Sequence, residues 1–176
     1  MSSASMTTVG RYLVQRLEQV GVKHIFGVPG DYVLDLMDRV VDSPVEFIGT
    51  CNELNAGYAA DAYGRLNGIG AAMITYGVGG FSLLNAVAGA YAERVPLVVI
   101  SGAPHSARRR THAPMHHLAT DYRLQLDLYS KVTSAAVMLT QAEQAPGQID
   151  CTLQTCLRYK RPVYIEVPTD MVDTPG

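Results

Sequence analysis

Short apolar runs alternate with longer segments of helical periodicity along most of the chain. In the first such segment, Val9, Leu13 and Leu17 recur at helical spacing, and Gly21 follows them as a stop signal. The pattern predicts helices over residues 7–21, 31–41, 53–66, 79–95, 121–130 and 142–159. It predicts strands over residues 24–28, 45–50, 71–76, 96–102, 131–139 and 162–168.

This alternation predicts an α/β fold with three layers, α/β/α, around a central, mostly parallel sheet of about six strands. The run at 96–102 is continuously apolar, which is typical of a strand covered by helices on both faces. In open sheets of this kind, ligands bind beyond the carboxyl ends of the strands. We therefore expect a site where four turns converge, at residues 27–31, 50–55, 76–82 and 101–117.

The composition is that of a globular chain in a reducing compartment. The 176 residues are 48% hydrophobic and 17% charged, which suffices for one buried core. The net charge of −2 provides no field for nucleic acid or an anionic membrane, and neither is an expected partner. The three cysteines lack metal-ligand spacing, and no apolar run approaches the about 18 residues of a membrane span.

The ends of the chain suggest a simple domain organisation. The first ten residues have neither the basic region nor the apolar region of a signal peptide, so we expect a cytoplasmic protein. We predict a flexible N-terminus at residues 1–6, one domain over residues 7–170, and a domain-edge tail at residues 171–176.

Glu53 lies between a predicted strand and an alanine-rich helix, in the stretch GTCNELNAGYAADAYGR. One interpretation is undemanding, because a carboxylate at a helix start complements the helix dipole. The other is functional, because the small apolar residues that follow would raise the pKa of this carboxyl group, as catalytic sites often require. The residues alone leave both interpretations open.

Two of the other turns carry further candidates. Asp31 follows Pro29 and Gly30 and is favoured as the N-cap of the second helix, a role that can coexist with a functional one. The glycines within residues 77–80 follow a strand and open a helix, as a phosphate-binding loop would. They lack the full G-x-G-x-x-G spacing, so a tight turn is favoured over a dinucleotide site.

The longest predicted turn is rich in histidine and arginine: His105, His112, His116 and His117, with Arg108, Arg109 and Arg110. A zinc site is disfavoured because neighbouring histidines rarely reach one metal ion and no cysteine or acid lies at ligand spacing. A nucleic-acid patch is disfavoured because aromatic residues do not interleave with the basic ones. A solvated loop and a proton-handling histidine pair remain, since histidine titrates near neutral pH.

Five motifs stand in the order and spacing of one enzyme family: IFGVPGDY, NELNAGYAADAYGR, TYGVGGFSLLNAVAGAYAE, VVISGAP and MHH. On these motifs, residues 8–168 resemble the N-terminal pyrimidine-binding (PYR) domain of the 2-oxo acid decarboxylases that depend on thiamine diphosphate. That family includes pyruvate, indolepyruvate and phenylpyruvate decarboxylases. The resemblance implies thiamine diphosphate as the cofactor.

The resemblance also implies roles for individual residues. Glu53 would hydrogen-bond nitrogen N1′ of the cofactor's aminopyrimidine ring. Asp31 would be the active-site aspartate of the family. The other implied assignments are substrate orientation and proton transfer for His116 and His117, and cofactor binding for Pro29, Gly30 and Thr75. No metal ligand is implied in this chain.

The family's Mg²⁺-diphosphate motif, Gly-Asp-Gly followed by Asn, belongs to a separate PP domain, and this sequence contains no GDG. The resemblance thus implies a PYR half that is inactive until a PP domain or subunit joins it. The implied reaction is the non-oxidative decarboxylation of a 2-oxo acid to an aldehyde by a homo-oligomer. A non-catalytic binding or regulatory module that keeps the fold is the alternative, and a nucleotide-binding oxidoreductase is a more distant one.

Overall fold

The computed structural model, which describes residues 7–109 and 114–176, contains one six-stranded sheet between two layers of helices. The helices are α1 Val9–Gln19, α2 Leu34–Val41, α3 Glu53–Asn67, α4 Val78–Ala92, α5 Ser106–Arg109, α6 Leu124–Val132 and α7 Ala145–Tyr159. The strands are β1 His24–Gly27, β2 Glu46–Gly49, β3 Gly70–Ile74, β4 Leu97–Ala103, β5 Ala136–Met138 and β6 Val163–Pro168. Short 3₁₀ helices cover Ala142–Gln144 and Thr169–Met171.

All neighbouring strands pair in parallel, in the order β2-β1-β3-β4-β6-β5. The chain leaves β1 towards β2 on one side and later returns to place β3 on its other side. This reversal is the topological switch point at which open α/β sheets form their ligand crevice. The predicted three-layer architecture is confirmed.

The two helical layers cover opposite faces of the sheet. Along β3, Met73 belongs to the core shared with α1, α2 and α7, whereas Ala72 and Ile74 belong to the core shared with α3, α4 and α6. All residues of β3, β4 and β6 are buried, as expected for parallel strands covered on both faces.

Two local predictions were wrong. The strand predicted over residues 131–139 contracts to Ala136–Met138, because Lys131 and Val132 continue α6 and Val132 packs against the core between the sheet and this helical layer. β-Branched residues at 132 and 133 imitated a strand there, but the tertiary contacts of α6 outweighed that local preference. The second helix begins at Leu34 instead of Asp31, with an intervening turn.

The two ends of the described chain meet. Val9 N donates to Thr174 O at 3.0 Å, and an antiparallel bridge joins Thr8 to Pro175. Residues 1–6 lie outside the described part, so their predicted flexibility stays a prediction, as do the domain boundaries. Among the helices described, none combines the length and apolarity needed to cross a membrane.

Candidate functional site

The candidate site lies at the carboxyl edge of the sheet, where the turns after β1, β2, β3 and β4 come together. Thr50 Oγ1 donates to Gly27 O at 3.2 Å, which ties the turn after β2 to the end of β1. Gly30 and Thr75 touch across the switch point, since a Cβ at position 30 would lie 2.6 Å from Thr75 Cβ. Convergence of these turns, expected from the topology, is therefore present.

Glu53 is the first residue of α3 and is half-buried. The helix is capped by its neighbour Asn52, whose Oδ1 accepts from Asn55 N at 2.9 Å. Within the described residues, the Glu53 carboxylate has no hydrogen bond or ion pair. It faces the start of α4, where a Cβ at Gly79 would lie 2.8 Å from Glu53 Oε1. The glycine thus leaves space beside a carboxylate that has no partner among the described residues.

Thr75 adds an unpaired hydroxyl to the same place. It is 6% exposed, and its Oγ1 has no hydrogen-bond partner within residues 7–109 and 114–176. Its Cγ2 would lie 3.1 Å from a Cβ at Gly79, so Thr75 and Glu53 both lie against this glycine. A buried hydroxyl without a partner is costly, and polar groups of this kind are often completed by a ligand or water.

Asp31 and His116 form a pair across 85 residues of sequence. His116 Nε2 lies 2.6 Å from Asp31 Oδ2, and the two side chains are 56% and 57% exposed. The imidazole of His116 stacks on the Tyr32 ring at a centroid distance of 4.9 Å. The N-cap prediction for Asp31 was wrong, because Val33 is the N-cap of α2 and no side chain in the described part of the protein caps that helix.

His117 completes a cluster with this pair. Potential ligand atoms of Asp31, His116 and His117 lie within 4.8 Å of one another, a spacing that could hold a metal ion. No acid lies at ligand spacing from these histidines in the sequence, but folding brings Asp31 to them. The same cluster can also share and transfer protons between carboxylate and imidazole groups.

The backbone at His117 is unusual. Its φ of 67° lies in the left-handed region, which few residues other than glycine adopt. Its Nδ1 is buried without a hydrogen-bond partner in the described chain, and its carbonyl oxygen abuts Gly77. Gly77 also has a positive φ, of 77°, and a side chain there would overlap the His117 carbonyl. The turn after β3 and the histidine loop are therefore closely fitted.

Other members of the histidine-rich loop lie apart from this cluster. His105 Nδ1 is 3.9 Å from Asp170 Oδ1, and Arg109 turns inward to Glu166. His112 and Arg110 fall outside the described residues.

Sequence reasoning missed a buried polar network behind the turn. Gln125 Nε2 donates to Ser101 Oγ at 2.8 Å and to Tyr164 Oη at 2.7 Å. Tyr164 Oη donates to Glu166 Oε2 at 2.6 Å, and Gln125 Oε1 accepts from Gly77 N at 2.6 Å. The available signal was the single acid within the apolar strand VYIEVP.

Glu166 is fully buried on β6. Burial raises the pKa of its carboxyl group to about 7, although the Tyr164 hydroxyl and the charges of Arg109 and Arg123 oppose the rise. Arg109 Nη2 lies 3.9 Å from Glu166 Oε1, and neither atom has a hydrogen bond within the described residues. The ion pair is therefore loose, and the carboxyl group can change charge near neutral pH.

Comparison with known proteins places the chain in a family. The family described as thiamine pyrophosphate enzyme, N-terminal TPP binding domain, matches residues 7–123. The chain is 49% identical over 166 residues to a pyruvate decarboxylase of Aspergillus parasiticus, covering 93% of this chain and 29% of that protein. It is 43% identical over 176 residues to pyruvate decarboxylase 2 of Oryza sativa subsp. japonica, covering 98% and 29%.

A third relative, pyruvate decarboxylase 4 of Arabidopsis thaliana, is 42% identical over 178 residues, covering 99% of this chain and 30% of that protein. The chain thus spans about three tenths of the length of the curated relatives it matches. The motif resemblance is confirmed, and the match agrees with thiamine diphosphate as the expected cofactor. The chain belongs to the thiamine pyrophosphate enzyme family, as a member of its N-terminal TPP binding domains.

Proposed function

We propose that this chain forms the PYR half of a 2-oxo acid decarboxylase that uses thiamine diphosphate. The observation that carries the proposal is the half-buried Glu53 carboxylate at the switch point, which has no partner within the described residues. A carboxyl group so placed can bind a ring nitrogen of a ligand and share its proton. The pyruvate decarboxylases among the relatives support a 2-oxo acid as the substrate class.

The residues present fit the aminopyrimidine part of the cofactor. Glu53 would hold the proton shared with N1′, and the unpaired Thr75 hydroxyl would bind a second polar atom of the ring. Pro29 and Gly30 would form the wall opposite, where the absence of a side chain at Gly30 allows contact with Thr75. When bound, thiamine diphosphate supplies the electron sink for the charge that develops as carbon dioxide leaves.

Asp31, His116 and His117 would handle protons on the substrate side. The 2.6 Å contact between His116 Nε2 and Asp31 Oδ2 allows the pair to exchange a proton with a bound molecule. Their exposure leaves the pair accessible from outside this chain. Cationic histidine would also attract the carboxylate of a 2-oxo acid and orient it.

The chain would need a PP domain or subunit to become active. The motif expected to bind Mg²⁺ and diphosphate is not in this sequence, whereas the pyruvate decarboxylase relatives are much longer chains. We further propose that the protein is a homo-oligomer, which is supported by exposed large apolar side chains such as Leu66 and Val41, at 87% and 76%. We propose a cytoplasmic location as well.

Calorimetry tests the cofactor and the partner together. Thiamine diphosphate with Mg²⁺ is titrated into this chain alone and into its mixture with a candidate PP domain. Binding and turnover of pyruvate are expected only in the mixture. Tight binding by the chain alone would refute the shared site, and binding without turnover would favour a non-catalytic module.

Glu53→Gln isolates the role of the carboxylate. It should slow exchange of the cofactor's C2 proton by a large factor in the mixture, because an amide cannot share the same proton with N1′. Glu18→Gln is the matched control, since Glu18 is exposed near the end of α1, at the opposite edge of the sheet. Unchanged proton exchange in Glu53→Gln would return Glu53 to the helix-dipole role.

A further inference from the structure

We propose that Gln125 is a positioning residue for this site and that the buried chain Gln125–Tyr164–Glu166 holds the turn after β3 in place. Only the expected effect of this contact on catalysis rests on the proposed function. The positioning itself concerns the chain alone.

Gln125 is fully buried, and its amide is satisfied on both sides. Its Oε1 accepts from Gly77 N at 2.6 Å, while its Nε2 donates to Ser101 Oγ and Tyr164 Oη at 2.8 and 2.7 Å. Ser101 Oγ lies in turn 3.4 Å from Thr75 O. One side chain on α6 thus connects the ends of β3, β4 and β6.

Gly77 N and the Glu166 carboxylate favour the same orientation of this amide. An ionised carboxylate only accepts hydrogen bonds, so the Tyr164 hydroxyl must donate to it, at 2.6 Å. The Tyr164 oxygen is then left to accept from the Gln125 amide nitrogen. With Nε2 directed at Tyr164, Gln125 Oε1 faces Gly77 N, whereas a flipped amide would place its Nε2 donor against the Gly77 N–H donor.

The turn held in this way borders both halves of the site. Gly77 abuts the carbonyl oxygen of His117, and Gly79 lies against the Glu53 carboxylate. Among the described residues, no side chain caps α4, whose N-cap is Gly77 itself. Gln125 Oε1 fixes Gly77 N by a side-chain hydrogen bond. A shift of Gly77 would move the walls beside His117 and Glu53 together.

Gly80 shows how closely Gln125 fits. A Cβ at position 80 would overlap the Gln125 side-chain amide. On the same helix, a Cβ at Gly89 would meet nothing within 4 Å. Gly80→Ala should therefore displace Gln125, and Gly89→Ala is a matched control for adding a methyl group to α4.

Glu166 makes the anchor sensitive to pH. The groups that face it are Tyr164 on its own strand, Arg109 on α5, Arg123 at the start of α6 and Tyr76 after β3. Burial raises the pKa of Glu166 to about 7. Below that pH, the neutral carboxyl group can donate a hydrogen bond to the Tyr164 oxygen. The Tyr164 hydroxyl proton can then point towards Gln125 Nε2, which weakens the hydrogen bond that holds the amide.

Amide hydrogen exchange at Gly77, followed by NMR on this chain, tests the positioning without cofactor. Gln125→Leu and Gly80→Ala should each lower the protection of Gly77 by about tenfold, because one buried hydrogen bond is lost. Gly89→Ala should leave it unchanged. Full protection of Gly77 in a folded Gln125→Leu or Gly80→Ala chain would overturn the proposal.

The pH dependence distinguishes positioning from simple packing. In the native sequence, exchange of the Gly77 amide by local opening, as distinct from global unfolding, should slow as pH increases through about 7. Glu166→Gln should make the rate of this local opening independent of pH. Tyr164→Phe should also abolish this pH dependence, because it removes the hydroxyl that links Glu166 to Gln125. An unchanged pH dependence in both variants would refute the role of Glu166 and Tyr164.

The expected effect on catalysis is measured separately, as turnover of pyruvate in the mixture with a PP domain. Glu166→Gln should lower kcat more than it raises KM and shift the pH profile of kcat. If the mixture shows no turnover in the native sequence, the proposed function fails, yet the exchange of Gly77 still decides the positioning. A pH profile of kcat that is unchanged by Glu166→Gln would refute the catalytic consequence.

Discussion

Replacing Glu166 by glutamine should change how the stability of the chain depends on pH. Glu166 is fully buried on β6, and burial raises the pKa of its carboxyl group from an ordinary value of 4.5 to about 7. Between these two values the folded protein keeps a proton that the unfolded chain releases. The favourable contribution of that proton is complete below pH 4.5 and is lost as pH rises through about 7.

The magnitude follows from the two pKa values. One pKa unit corresponds to about 1.4 kcal/mol, so the free energy of unfolding should fall by about 3 kcal/mol between pH 4.5 and pH 8. Glutamine cannot ionise, so Glu166→Gln removes this decline. Contributions from groups present in both proteins cancel in the difference between them.

Urea denaturation at intervals from about pH 4.5 to pH 8 measures this difference, provided the transition is two-state. The free energy of unfolding of the native sequence, minus that of Glu166→Gln, should decrease with pH by about 3 kcal/mol. Glu18→Gln, at an exposed site, should show no such trend. A constant difference for Glu166→Gln, or one that grows with pH, would show that Glu166 is not held neutral by burial.

Three further predictions concern a helix cap, the core and the exposure of the cysteines. Asn52→Ala removes the N-cap of α3 and should lower the free energy of unfolding by about 1 kcal/mol in urea; no loss would mean that the cap contributes nothing. Leu13→Ala empties a fully buried position and should cost about 2–5 kcal/mol in the same assay, whereas a cost below about 1 kcal/mol would contradict the core assignment. A thiol reagent should label exposed Cys51 and Cys151 in the folded chain but not Cys156, whose pKa burial raises to about 12; native labelling of Cys156 would contradict its burial.

Local pattern was sufficient for most of the architecture. The alternation of short apolar runs with segments of 3.6-residue periodicity located nearly every element, because each periodicity reflects which side of a strand or helix is buried. The predicted boundaries of elements were wrong where a residue is compatible with both a helix and a strand. Val132 has a strand-forming side chain, but on α6 it packs against the core between the sheet and the helices.

The site divides in a similar way. Glu53, Thr75 and Gly30 could be placed at one edge of the sheet from sequence, since parallel strands end on the same side. The 2.6 Å contact of Asp31 with His116 could not, because these residues are 85 positions apart and meet only once the strand order is set.

Periodicity in the sequence thus determined the elements, the layers and the edge at which a ligand would bind. Tertiary structure alone decided which polar groups are paired and which are left without a partner. Gln125 and Glu166 carry no local signal of their connection through Tyr164, which depends on the adjacency of α6 and β6. The physical reason is that burial of one side of a helix or strand produces a periodic pattern of apolar residues in the sequence. A hydrogen bond between distant elements depends instead on a donor–acceptor distance that the whole fold sets.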